Sequence, residues 1–230
     1  MESLTPAPLD PVWAHGYEHT LPNDFDRSMQ DRFKAVHAGR SGAFLGRSPW
    51  INHDLKSCPV DGMVTMTANM GVNFHRVNYC YHGMDDAAVD AIDIAARPDV
   101  AFIAGASQKA VALQRECKYH NLFLHTDPPT MPVHLQGLMN TTYPRPNDCL
   151  ISGHRAVFFL HYMGCSPIYL LGVDYLPRGD VYYGDSGETG GGLALAVSEN
   201  KLWLLRMKEI VAALRVKGVP VAWPGESGRA

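Results

Sequence analysis

An α/β protein with a doubly wound, mostly parallel sheet is what this sequence predicts, and three observations predict it. Short apolar runs of strand length recur at residues 42–46, 62–68, 78–82, 100–104, 121–125, 168–173 and 219–223. Segments of helical spacing separate many of these runs, the alternation expected where crossover helices join parallel strands. Several runs end next to a polar residue, namely Asn69, His82 and Asp174. That is the edge where open α/β sheets bind their ligands. The expected architecture is a Rossmann-like single domain with a glycine-rich lid loop.

A chain of 230 residues that is 46% hydrophobic can bury one good core. The expected division is an N-terminal extension over 1–40, one α/β domain over 41–225 and a fraying tail over 226–230. A formal charge of −3 shows no basic excess, which argues against a dedicated duplex-binding surface. Five cysteines are scattered without a Cys-x-x-Cys pair, which favours reduced thiols over a disulfide frame or a zinc site. A cytoplasmic location is the expectation that follows. The first thirty residues contain prolines and acids without a long apolar core, and no run approaches about 18 apolar residues. Neither secretion nor a membrane span is expected.

Taken in order, residues 1–22 are proline-rich, and 23–36 have helical spacing with Asn23 as a cap. The first strand, 42–46, runs into the turn Gly46-Arg-Ser-Pro49 and a helical turn over 50–55. The second strand ends at Asn69 and the third at His82. A helix over 85–96 starts at Asp85 and is closed by Pro98, and the fourth strand follows it. A helix over 107–118 leads to the fifth strand. Residues 126–149 contain Pro128, Pro129, Pro132, Pro144 and Pro146, a connection too long for an ordinary loop. Such a segment is expected to act as a lid or an oligomer contact, which leaves a homo-oligomer open.

The stretch beginning Ile151-Ser-Gly-His is the most informative in the chain. It predicts a helix over 153–163, a stop at Gly164 and a buried strand over 168–173 that ends on Asp174. Ser152 and Gly153 stand at the helix start, where backbone N–H groups face an anion such as a phosphate. A serine there also serves as an ordinary helix cap. Residues 176–196 include six glycines, Gly179, Gly184, Gly187, Gly190, Gly191 and Gly192, and form the expected lid. The longest helix is expected over 198–216, with Leu202, Leu205, Ile210, Ala213 and Leu214 on one face.

These residues resemble the bacterial CMP-sialic-acid-dependent sialyltransferases. They also resemble a wider group, many from phages, called MptE-like after a 6-hydroxymethylpterin diphosphokinase. The family's Gly-Asn-Gly-Pro-Ser-Leu turn corresponds to Gly46-Arg-Ser-Pro-Trp-Ile51, and its strand ending Cys-Asn to Ala68-Asn69. Its Tyr-Asn-Pro corresponds to Tyr81-His82-Gly83. The most specific block is the Thr-Ser-Gly helix start followed by Gly-Tyr-Lys-x-Ile-Tyr-Leu-x-Gly-Ile-Asp. It corresponds to Ile151-Ser-Gly153 and then Gly164 through Asp174.

The resemblance implies a nucleotide-dependent transferase, a glycosyltransferase that takes a nucleotide-activated donor such as a CMP-sugar and an unknown acceptor. By the same resemblance Gly46, Ser48 and Asn69 approach the nucleotide, Ser152 and Gly153 bind its cytidine or phosphate side, and Gly172 allows close backbone approach. A phosphate-binding tyrosine falls at Tyr182, while another falls on Leu176, beside Tyr175. Two departures stand out: the loop asparagine is replaced by Arg47, and no histidine precedes the last helix, where Val197, Ser198 and Glu199 stand. His82 and His154 are the candidate replacements for that base, His154 kept neutral by the dipole of its helix. Arg47 can neutralise a diphosphate or a sugar carboxylate. Asp174 either organises the following loop or belongs to the nucleotide site.

No cofactor is firmly implied, and no metal site under the glycosyltransferase reading. The diphosphokinase alternative uses ATP and magnesium, with Asp85, Asp86 and Asp174 as candidate carboxylates. A third alternative is a nucleotide-binding or assembly protein without catalysis.

Overall fold

The computed structural model describes residues 33–82, 94, 96–105, 121–125, 152–174 and 193–227. Seven strands form one sheet: β1 (Gly42–Leu45), β2 (Val64–Ala68), β3 (Tyr79–His82), β4 (Ala101–Gly105), β5 (Leu122–His125), β6 (Ile168–Leu171) and β7 (Val221–Ala222). Every pairing is parallel, in the order β5-β4-β3-β2-β1-β6-β7. Among the described residues the helices are α1 (Ile51–Ser57), α2 (Ser152–Tyr162) and α3 (Leu193–Val216), with a 3-10 turn at Asn69–Asn73. The expected doubly wound α/β fold is therefore present, and wholly parallel among the described strands.

The strands are mostly apolar because both faces of a parallel sheet are covered, the polar exceptions being Thr65 and Thr67 in β2 and the terminal His82 and His125 of β3 and β5. β1 and β3 are buried at every position. α2 lies across β1, β2 and β3 and touches α3. Its Ala156, Val157, Phe158, Phe159 and Leu160 are all buried, which is why its sequence is apolar around most of its circumference. Each fully buried phenylalanine stabilises the fold by about 1.5–3 kcal/mol relative to exposure.

α2 ends where expected. Gly164 takes φ +85°, and residues of the preceding segment cover the exposed carbonyls: Ala35 N–H donates to Tyr162 O at 2.9 Å and His37 N–H to Met163 O at 2.7 Å. Phe33 and His37 are buried, and His37 Nε2 pairs with the Tyr79 hydroxyl at 2.6 Å. Phe33 and His37 thus pack into the core, while Lys34, Ala35, Ala38, Gly39 and Arg40 stay exposed. The helix expected to reach Val36 has given way to a turn by Lys34, with Ala35 at φ +56°.

Other boundaries move for local reasons. β2 starts at Val64 because Met63 N–H closes a turn onto Val60 O. α1 runs to Ser57, beyond the expected 50–55. α3 starts at Leu193, within the segment expected to be a loop, so Val197, Ser198 and Glu199 are helical rather than preceding the helix. Cys58, Cys80 and Cys165 are free thiols. No helix among the described residues is long and apolar enough to cross a membrane. The helices expected over 107–118 and most of 85–96, the proline-rich connection and most of the glycine-rich loop lie outside the described residues.

Candidate functional site at the sheet reversal

The sheet order puts β1 beside both β2 and β6, so the chain winds outward one way through β5 and the other way through β7. Such a reversal opens a crevice beyond the carboxyl ends of the two central strands, the ligand position in open α/β sheets. Here those ends carry the turn 46–48 after β1 and residues 172–174 after β6.

The two turns are interlocked. Gly46 N–H donates to Leu171 O at 2.8 Å and Ser48 N–H to Gly172 O at 3.0 Å. Ser48 Oγ donates to Asp174 Oδ2 at 2.5 Å and accepts Trp50 N–H at 3.2 Å, so one hydroxyl bridges the turns and satisfies an amide at the start of α1. Ser48 and Asp174 are both buried. A Cβ on Gly46 would lie 2.2 Å from Gly172 O, so the approach of the turns requires glycine. Gly172 takes φ +64° and turns its N–H onto Asp54 Oδ2 at 2.8 Å. That bond ends β6 at Leu171, two residues before the expected boundary.

The segment after β2 closes the other side. Asn69 has φ +46° and opens the 3-10 turn, and its carbonyl faces the Cys80 thiol at 3.6 Å. Thr67 Oγ1 donates to Leu45 O at 2.7 Å. His75 Nε2 lies 2.9 Å from Gly46 O, so that nitrogen carries the proton and donates. Burial holds the His75 pKa below the usual histidine range, opposed by this bond and assisted by nearby Arg47. The Arg47 guanidinium sits 5.3 Å from the centre of the Phe74 ring, a cation–π distance.

Ser152 and Gly153 begin α2, as expected. Arg155 Nη1 donates to the Tyr81 hydroxyl at 3.4 Å, which places this helix start beside the carboxyl end of β3. His82 ends β3 and has no exposed surface. His154 is equally buried, and its Nε2 bonds to Trp203 O of α3 at 2.9 Å. Its pKa is pushed down to about 4, mainly by burial, against the bond to Trp203 and with help from Arg206 and Arg155. Its neutrality thus comes first from desolvation, and its ring joins α2 to α3.

The fold therefore brings Gly46, Arg47, Ser48, Gly172 and Asp174 into one cluster and puts Asn69, His82, Ser152 and Gly153 on the same edge of the sheet. His154 points its Nε2 into the helix layer. Tyr175, Leu176, Tyr182, Asp85 and Asp86 lie outside the described residues. Asp54, Phe74 and His75 are additions that the sequence did not signal, since their partners are backbone groups or a cation distant in the chain.

No family of known proteins matches the sequence, and no curated protein matches it. Solved structures do share the fold. The sialyltransferase CstII from Campylobacter jejuni, in complex with the substrate analogue CMP-3FNeuAc, is 9% identical with a TM-score of 0.55 over 80% of each chain. A CST-II variant in complex with CMP is 10% identical, with a TM-score of 0.53 over 80% of this chain and 81% of that one. The chain thus has a sialyltransferase-like α/β fold.

Proposed function

We propose that this protein is a nucleotide-dependent transferase, a sialyltransferase-like glycosyltransferase that takes a nucleotide-activated sugar such as a CMP-sugar. The observation that carries the reading is the interlocked pair of turns, 46–48 and 172–174, at the reversal of a sheet whose structural relatives hold CMP or a CMP-sugar analogue. In this reading the nucleotide lies across that crevice. Ser48, Asp174 and Gly172 hold the turns in register, and Gly46 allows their close approach. Arg47 offsets phosphate charge, Asn69 approaches the nucleotide from the adjoining loop, and Ser152 and Gly153 present amides at the start of α2. Tyr182 supports the leaving phosphate through its hydroxyl.

Of the two candidate bases, His82 fits better, because His154 already uses Nε2 on Trp203 and is held neutral by burial. His82 stands at the ligand edge of β3, and it can accept an acceptor's proton only when the substrate reaches its ring. The burial of both histidines also favours a second reading, a nucleotide-binding protein without transfer. No described observation favours the ATP and magnesium alternative, and the paired Asp85 and Asp86 are undescribed.

Calorimetric titration with CMP, UDP, GDP and ATP, each with and without magnesium, tests these readings. Preference for CMP supports the sialyltransferase-like reading, and ATP binding that requires magnesium supports the diphosphokinase. Absence of binding to every nucleotide overturns both. Binding of CMP with no transfer from any CMP-sugar across an acceptor panel supports the non-catalytic reading.

A further inference from the structure

The contact between His75 and Gly46 bears on how the proposed phosphate subsite is shaped. Gly46 and Arg47 share one planar trans peptide, so the Gly46 carbonyl and the Arg47 N–H point in opposite directions. The bond from His75 Nε2 to Gly46 O, 2.9 Å, fixes the carbonyl and with it the direction of the Arg47 amide. The neighbouring residue, Phe74, holds the Arg47 guanidinium from the same segment, 5.3 Å from its ring centre. His75 is itself anchored, its N–H donating to Gly71 O at 3.0 Å. Two consecutive residues of the loop between β2 and β3 therefore grip two consecutive residues of the turn after β1.

We propose that His75 is a positioning residue for the phosphate subsite: by holding the Gly46 carbonyl it presents the Arg47 amide and guanidinium to the donor's phosphate. This inference rests on the nucleotide-binding reading above. Phe74 is partly exposed, so its ring holds the half-buried Arg47 side chain near the surface of the turn. A histidine suits the role because its neutral imidazole donates one hydrogen bond to a carbonyl without adding a second cation beside Arg47.

The test is calorimetric titration of the full chain with CMP for wild type, His75→Ala, His75→Gln, Arg47→Ala and the double variant. His75→Ala is expected to weaken CMP binding about tenfold, and His75→Gln, whose amide nitrogen reaches as far as Nε2, to return it to within about threefold. Arg47→Ala is expected to cost about tenfold alone but less than about threefold in the His75→Ala background, because the two residues act through one geometry. A merely structural histidine would instead give additive losses, and additivity overturns the inference. Should His75→Ala not fold, His75→Asn, whose amide falls short of Gly46, is compared with His75→Gln, and equal affinities overturn it. Wild type that binds CMP while all His75 variants bind equally defeats this inference alone. Wild type that binds no nucleotide defeats the functional reading with it.

Discussion

Ser48 and Asp174, separated by 126 positions, are joined by a 2.5 Å hydrogen bond at the reversal of the sheet. The bond ties the turn after β1 to the residues after β6 where neither strand still pairs with the other. Ser48→Ala removes this donor from a buried carboxyl oxygen and the acceptor of Trp50 N–H, and is expected to destabilise the fold by about 1–3 kcal/mol in urea denaturation. Under the proposed nucleotide-binding reading CMP affinity is expected to fall as well, since the turn loses its register. Unchanged stability and affinity would show that the backbone bonds alone hold the two turns.

Gly46 and Gly172 are required for different reasons, and their alanine variants separate them. At Gly46 the added carbon meets a carbonyl oxygen at 2.2 Å, so one turn must move away from the other. Gly46→Ala is expected to cost at least about 3 kcal/mol, the upper end for overpacking a close contact. At Gly172 the backbone has φ +64°, and the added carbon also comes within 2.8 Å of Ile51. The left-handed conformation alone costs an alanine about 1–2 kcal/mol. Because a Cβ at Gly172 would also come within 3.1 Å of Gly46 O, the two sites touch, and the double variant is expected to lose less than the sum of the two in denaturation midpoints.

Asp54 holds the turn from below. Its Oδ2 accepts the Gly172 N–H, and it is 1% exposed, so no solvent replaces it once removed. Asp54→Ala is expected to destabilise by about 1–3 kcal/mol through a buried amide left without its acceptor. Asp54→Asn keeps a carbonyl oxygen in reach and is expected to cost less. Equal losses in thermal unfolding for the two variants would mean that side-chain volume or charge, rather than the Gly172 amide, is what Asp54 supplies.

The strands were legible because parallel strands buried on both faces appear as bare apolar runs, as Tyr79, Cys80 and Tyr81 do in β3. The start of α2 at Ser152 and its stop at Gly164 were legible from local chemistry alone. Boundaries failed where a distant partner, or a misleading local composition, set them. β6 ends at Leu171 rather than Val173 because the Gly172 amide is taken by Asp54, 118 positions away. α3 begins at Leu193 because Leu193, Ala194, Leu195 and Ala196 propagate a helix directly after three glycines, whose composition had suggested a loop. In the candidate site, the turn after the first strand and Asp174 were legible from their place at strand ends, whereas Gly172 was singled out only through the family resemblance. Asp54 and His75 were not, since a helical acid and a loop histidine look alike whether or not a backbone group waits across the fold.

His154 gives the fold a pH dependence whose sign follows from its burial. Its folded pKa of about 4 lies below the ordinary histidine value of 6.5, so between these values the unfolded chain takes up a proton that the folded chain refuses. The stability it supplies is complete above about pH 6.5 and is lost as the pH falls toward 4. A shift of this size corresponds to roughly 3 kcal/mol. His75 and His161 are shifted in the same direction by burial and add to the slope. His154→Gln keeps an N–H that can reach Trp203 O but does not titrate, so its urea midpoints are expected to fall less steeply from pH 6.5 to 4 than those of wild type. Parallel curves for the two proteins would mean that this ring is protonated in the folded state at an ordinary pKa. In that case His154 would regain its standing as a group that exchanges protons near neutral pH.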